Sequence, residues 1–185
     1  MQKNLLINLK VVFLVSILVG CSTPHLPETP AERLTFENTA VIEVLNDLIQ
    51  VDIDTYYVYN QAIAGIKEPY IKDIFIAFRA DHERHIRTLS THVLQLGGTP
   101  PAFSRDMKGV LMTGYAAIRR ATGTEGILKA MQSAEKDSHE IYEKAALIQM
   151  SAPIKADIKN NLQDERHHLT TIDQLLSNTR KKLKR

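Results

Sequence analysis

Glu165 and His168 stand three residues apart. On a helix that spacing puts a carboxylate and an imidazole on one face, where both can bind one cation. Asp81, His82 and His85 form a similar group near the middle of the chain. Asp52 and Glu135 each add a carboxylate from a further segment. Carboxylate with imidazole suits Fe, Mn or Zn. Together these residues could hold one or two divalent ions, and with iron the chemistry extends to redox work. A lone Glu-x-x-His is common by chance. Four segments that each offer ligands at mid-length are more specific.

Such ligands meet only if long helices carry them. Thr29-Pro30-Ala31-Glu32 is a helix start, with a capping Thr, Pro in the first turn and Glu three residues on. Leu45, Ile49, Tyr56, Tyr59 and Ile63 then recur at three- and four-residue spacing, with Asp52 inside the series. This pattern runs to Ile66, with a break expected near Asn38. A second helix is expected from Pro69 to Leu96, stopped by Gly97-Gly98. Residues 104–121 read as a short connecting helix. The third long helix is expected from Gly123 to near Met150, and the fourth from Pro153 to about Lys182. Nothing alternates as a strand would. Two helical hairpins joined by a long crossover make an all-α four-helix bundle over residues 30–179.

The inner faces of these helices are not purely apolar. Ile74, Phe78, Asp81, His85, Leu89, His92 and Leu96 share one stripe of the second helix. Ile158, Leu162, Glu165, Leu169, Ile172 and Leu176 share one on the fourth, with His168 at its flank. Glu135 lies with Leu128, Met131 and Tyr142 on the third. Burying unpaired charge costs several kcal/mol per ion, and a shared cation removes that cost. A faint repeat matches Asp81 with Asp164 and His85 with His168. The competing reading is a metal-free polar layer in a non-catalytic structural or stress-response protein. There Asp81 and His85 pair within their helix, Glu135 meets a Lys or Arg, and Glu165 and His168 face solvent.

Four marks carry a resemblance. They are Leu45-Asn46-Asp47-Leu48-Ile49, His85 followed by Leu96-Gly97-Gly98-Thr99-Pro100, Glu135 seven residues before Tyr142, and Asp164-Glu165-x-x-His168. With them the chain resembles the ferritin-like superfamily, and within it the bacterial family called domain of unknown function 2383. The resemblance implies a ferritin-like bundle and, in enzymes of that kind, a di-iron centre that oxidises Fe(II) or activates dioxygen. It also implies pairing as dimers or cages, so a homodimer is an expectation. The chain departs from the di-iron pattern at three ligands. His82 stands where Glu is usual, helix one offers the shorter Asp52 or Asp54, and Glu135 is displaced from the usual spacing relative to Glu165. These departures count against ferroxidase chemistry and leave a single ion, Zn for instance, or none.

The ends of the chain carry an address. Residues 1–20 have a basic start, an apolar run and small residues at the close, which is a signal peptide pattern. The run from Val11 to Gly20 is too short to span a bilayer, which takes about 20 apolar residues. Leu18-Val19-Gly20-Cys21 resembles a lipobox, and Cys21 is the chain's single cysteine. The resemblance implies acylation at Cys21 and attachment to the cell envelope through residues 21–29, a polar tether. In a Gram-negative cell Ser22 favours the outer membrane, facing the periplasm. Residues 180–185 form a basic tail that suits an anionic envelope surface.

Charge sharpens this division. The whole chain has a net charge of +2. Lys3 and Lys10 supply it, and residues 21–179 carry 16 basic against 21 acidic side chains. No nucleic-acid motif accompanies that balance, so a nucleic-acid partner is not expected.

Overall fold

In a computed structural model the described residues are 29–103, 116–119 and 121–183. The signal peptide, Cys21, the tether to residue 28, residues 104–115 of the connecting segment and residues 184–185 lie outside them. The long helices are α1 (Pro30–Gly65), α2 (Pro69–Gln95), α3 (Gly123–Ala146) and α4 (Ala152–Leu183). Residues 116–119 are helical, within the expected short connecting helix. Among the described residues there is no strand, and no helix is long and apolar enough to cross a membrane.

Local signals explain most boundaries. Pro69 sits in the first turn of α2, where its missing N–H breaks no helix bond. Gly97 ends α2 at φ 83°, a conformation that a side chain would strain. Two boundaries differ from expectation. α1 runs unbroken through Asn38, whose helix propensity falls below alanine's by about 0.7 kcal/mol or less, too little to interrupt a long helix. α3 ends at Ala146, short of Met150. There Leu147 N–H bonds Lys144 O at 3.2 Å and Ile148 N–H bonds Ala145 O at 3.1 Å. That tightened turn leaves Leu147 in solvent and returns Met150 to the core.

The helices pack as two antiparallel hairpins, α1 with α2 and α3 with α4. α1 also packs beside α3 and α2 beside α4, while the backbones of the diagonal pairs stay apart and only side chains of the central layer reach between them. Thr124 Oγ1 donates to Glu68 Oε2 at 2.6 Å, so α3 begins beside the α1–α2 turn. Arg180 Nε bonds Glu125 Oε1 at 3.1 Å, so α4 ends there too. The start of α1 and the α3–α4 turn lie at the opposite end, the base.

The interior has three layers. One apolar cluster includes Ile66, Ile71, Phe75, Leu128, Met131 and Leu176. The other, toward the base, includes Leu45, Leu48, Val93, Met150, Ile154 and Ile158. Between them lie buried Asp52, Thr55, His82, His85, Glu135, Ser138, Asn161, Glu165 and His168.

The two hairpins repeat each other at an offset of 83 positions. Leu45 corresponds to Leu128, Ala62 to Ala145, Ile71 to Ile154 and Leu89 to Ile172, and all eight are buried. Each apolar cluster is therefore largely the other's counterpart. The polar layer lies at their midpoint.

Candidate metal centre

The same offset relates the polar residues. Asp52 corresponds to Glu135, Tyr59 to Tyr142, Asp81 to Asp164, His82 to Glu165 and His85 to His168. Each helix thus delivers its polar residues from one inward face. Asp52, His82, His85, Glu135, Glu165 and His168 all have no exposed surface.

They form two overlapping groups. Asp52, His82, His85 and Glu165 make one, and His82, Glu135, Glu165 and His168 the other. Within each, one ligand atom per residue lies within 4.8 Å of every other. His82 Nδ1 is 2.9 Å from Asp52 Oδ1 and 3.6 Å from Glu165 Oε1. His82 Nε2 is 3.5 Å from Glu135 Oε1, and His168 Nδ1 is 3.5 Å from Glu135 Oε2. His85 Nδ1 is 3.4 Å from Asp52 Oδ1 and 3.7 Å from Glu165 Oε1. Ligands about 2.0–2.2 Å from one tetrahedral ion lie roughly 3.3–3.6 Å apart, so the spacing suits a cation.

Hydrogen bonding tests the fit further. Among the described residues seven buried side-chain atoms have no hydrogen-bond partner, and five belong to the ligands of these two groups. They are His82 Nε2, Glu135 Oε2, both oxygens of Glu165 and His168 Nδ1. A buried carboxylate or imidazole atom without a partner costs about 1–3 kcal/mol or more. All five are chemically metal ligands, so the donor set fits a cation.

The outward edges of the histidines are fixed. His85 Nε2–H donates to Asp164 Oδ2 at 3.1 Å, and His168 Nε2–H to Asp81 Oδ2 at 3.1 Å. Each bond crosses between hairpins and turns Nδ1 inward. A carboxylate behind a histidine fixes its tautomer and ring orientation. Arg84, half in solvent, ties the two Asp residues together, bonding Asp81 and reaching Asp164 Oδ2 at 2.7 Å. Tyr142 OH donates to Asp52 Oδ2 at 2.6 Å, and Tyr59 OH donates to Glu135 Oε1. Each tyrosine holds one oxygen of the opposite hairpin's carboxylate, and the other oxygen turns to the histidines, Asp52 Oδ1 to His82 and Glu135 Oε2 to His168.

Burial and charge set the protonation states. Burial pushes Glu165 up to about 7, with the charges of Glu135 and Asp52 adding to it against His82 and His168. Burial opposes ionisation of Glu135 and Asp52 too, but neighbouring histidines hold both below the usual carboxylate range. His168 is raised to about 9, since Glu135 and Asp81 outweigh its burial. Asp81 is held at about 2 despite burial, by His168 and Arg84. Tyr59 and Tyr142 are raised well above the ordinary phenol value, chiefly by burial. They remain neutral donors.

Six of the seven expected ligands therefore meet: Asp52, His82, His85, Glu135, Glu165 and His168. Asp81 does not join them. It sits at the rim, one-quarter exposed, behind His168. The Asp81–His85 pairing within α2 is replaced by two crossed pairs between hairpins. Glu165 and His168 face inward, not solvent. His92 belongs to a separate pair near the base, 2.7 Å from Asp157. Tyr59, Tyr142, Asp164 and Arg84 were not expected to act here. The offset that matches Asp81 with Asp164 would have located the first three.

No curated protein matches the chain. Solved structures show its fold. A ferritin like, diiron-carboxylate protein from Bacillus anthracis str. Ames is 21% identical, with a TM-score of 0.61 over 76% of this chain and 97% of that one. A dodecameric thioferritin, the bacterioferritin-related protein from Bacteroides fragilis, is 14% identical, with a TM-score of 0.67 over 80% and 90%. The fold is accordingly a ferritin-like bundle of helical hairpins. A family model described as Domain of unknown function (DUF2383) matches residues 40–147, which hold Asp52, His82, His85 and Glu135. That is more than half of the 185 residues, and the chain belongs to this family.

Proposed function

We propose that this protein is a divalent-cation-binding bundle of the bacterial envelope, held there by a lipid on Cys21. The observation that carries the cation is the convergence of five unpartnered ligand atoms in one buried layer. A structural neighbour named as a diiron-carboxylate protein supports the same chemistry. His82, Glu135, Glu165, His168, Asp52 and His85 would hold Fe, Mn or Zn. When bound, the ion supplies positive charge to the polar layer, and iron supplies one-electron redox capacity for Fe(II) oxidation or dioxygen reduction. The protein's own part is to orient the ligands through Asp81, Asp164, Tyr59 and Tyr142, and to exclude water with the two apolar clusters.

The deciding experiment is elemental analysis of the purified, untagged protein beside a His85→Ala/Glu165→Ala double variant. Wild-type protein should carry metal that the variant lacks. Equal content in both would sink the reading.

The envelope location rests on residues 1–21 alone. Detergent partitioning tests it: a Cys21→Ala form should leave the detergent phase. Pro30 opens α1 at the base, and α1 has 36 residues, about 54 Å of helix. Arg180 lies at the opposite end of the bundle from Pro30.

A further inference from the structure

We infer that His82 makes this a one-ion centre, with the ion in the half lined by Glu135 and His168. The inference rests on the cation reading above and assigns its stoichiometry.

Three observations lead there. First, His82 occupies the register at which the repeat places Glu165. A carboxylate at that position has two oxygens on one carbon and can offer one to each half. Imidazole points its two nitrogens in different directions and carries a proton on one of them when neutral. Second, that proton already has an acceptor. Nδ1 of His82 lies 2.9 Å from Asp52 Oδ1, a contact that needs an N–H there. Nε2, 3.5 Å from Glu135 Oε1, is therefore the nitrogen left for an ion once the ion has displaced any proton on it. Asp52 thereby does for His82 what Asp164 does for His85 and Asp81 does for His168. It becomes the acceptor that orients a ligand. Third, of the unpartnered ligand atoms those that belong to one half alone, Glu135 Oε2 and His168 Nδ1, both lie in the group His82, Glu135, Glu165 and His168, while His82 and Glu165 are shared with the other half. In the other half both Asp52 oxygens are engaged, by His82 and Tyr142.

Of the two four-residue sets, one therefore keeps every member open to an ion: His82 through Nε2, Glu135 through Oε2, Glu165 through either oxygen and His168 through Nδ1. A second ion would have to take Asp52 from His82 and share Glu165 with the first.

Reconstitution of the full-length protein with Fe(II), and separately with Zn(II), tests this by metal content per chain. Wild type should saturate at one ion. His82→Glu should saturate at two, and two irons there should show magnetic coupling in Mössbauer or EPR spectra that wild type lacks. Two single variants locate the ion independently of that gain. Asp52→Asn should keep one ion, bound about 10- to 100-fold more weakly, the usual effect of losing an orienting partner. Glu135→Gln should lose it. Two ions in wild type, or one in a folded His82→Glu, would overturn the inference and leave the cation reading intact. Loss of the ion in Asp52→Asn with retention in Glu135→Gln would place it in the other half and also overturn it. A wild-type protein that takes up neither metal would remove the cation reading, and this inference with it.

Discussion

The Asp52–His85 half of the polar layer and the Glu135–His168 half descend from one pattern, yet they differ in what remains unpaired. Both have a carboxylate held by a tyrosine of the other hairpin, and a histidine backed by an aspartate. In the first half the carboxylate is also taken by His82. In the second, Glu135 Oε2 and His168 Nδ1 have no hydrogen-bond partner and face each other at 3.5 Å. One substitution within a repeat, His82 against Glu165, accounts for the difference. A near-symmetric fold therefore does not guarantee two equivalent sites, because a single proton on a shared ring can satisfy one of them.

Glu165 is the residue both halves share, and its loss has the largest expected effect. Glu165→Gln should reduce metal content to background whichever half is occupied. The metal-free protein should respond in the opposite sense. There Glu165 is buried without a partner and raised to about 7. Above that pH the wild type must bury its charge, and the amide need not. Urea titration of the metal-free proteins at about pH 8 should find the variant no less stable than wild type. Clear destabilisation there would mean that Glu165 has a structural partner, and the two halves would be less open than they are drawn.

pH separates the two states of the centre next. Glu165, raised from 4.5 to about 7, stabilises the metal-free fold fully below about pH 4.5, and this contribution is lost as pH climbs through about 7. His168, raised from 6.5 to about 9, contributes fully below about pH 6.5 and loses its contribution through about 9. Both terms fall in the same direction. The melting temperature of metal-free protein should drop between about pH 6 and pH 9. Metal affinity should rise over the same range, because bound cations displace protons from Glu165 and His168. Parallel slopes for the two properties would contradict a centre built on these side chains.

Much of this was legible in the residues. Helical periodicity identified the four helices and put Asp52, His85, Glu135 and Glu165 on their inner faces with His168 at the flank, because a bundle stripe with acids and histidines at mid-length is unusual. His82 entered only from its place three residues before His85. The wheel put Asp81 on the inward stripe and left His82 off it, and the fold reverses the two. Adjacent residues differ by about 100° in azimuth, and the apolar stripe is about that wide. Either one could have faced inward beside His85. The crossed Asp–His pairs were out of reach for a related reason: they depend on the stagger between α2 and α4, which no single helix encodes. Tyr59 and Tyr142 looked like core residues and are core residues. Their hydroxyl partners come from the opposite hairpin. The end of α3 was misjudged because Leu147 and Ile148 continue the apolar pattern beyond the turn.

The orienting aspartates give a finer test of which half is filled. Asp81 backs His168, and Asp164 backs His85. Loss of an orienting carboxylate costs about 10- to 100-fold in metal affinity. If the ion sits in the Glu135–His168 half, Asp81→Asn should weaken binding by that factor, and Asp164→Asn by much less. Competition with a chelating dye measures both. Equal losses would mean that the halves share the ion evenly.

The smallest effect is expected at Arg84, the one residue that touches both orienting aspartates. It bonds Asp81 within α2 and Asp164 on α4, and its own side chain is 49% exposed. Half-exposed ion pairs contribute about 1 kcal/mol or less, and salt screens them. Asp81 and Asp164 also keep their histidine partners without it. Arg84→Gln should therefore change stability by less than about 1 kcal/mol. Its effect on metal affinity should be equal for an ion in either half, since Arg84 holds both aspartates alike. A large loss of affinity in Arg84→Gln, with stability unchanged, would show that the guanidinium positions the aspartates rather than merely bridging them. The difference between the halves would then depend on the rim as well as on His82.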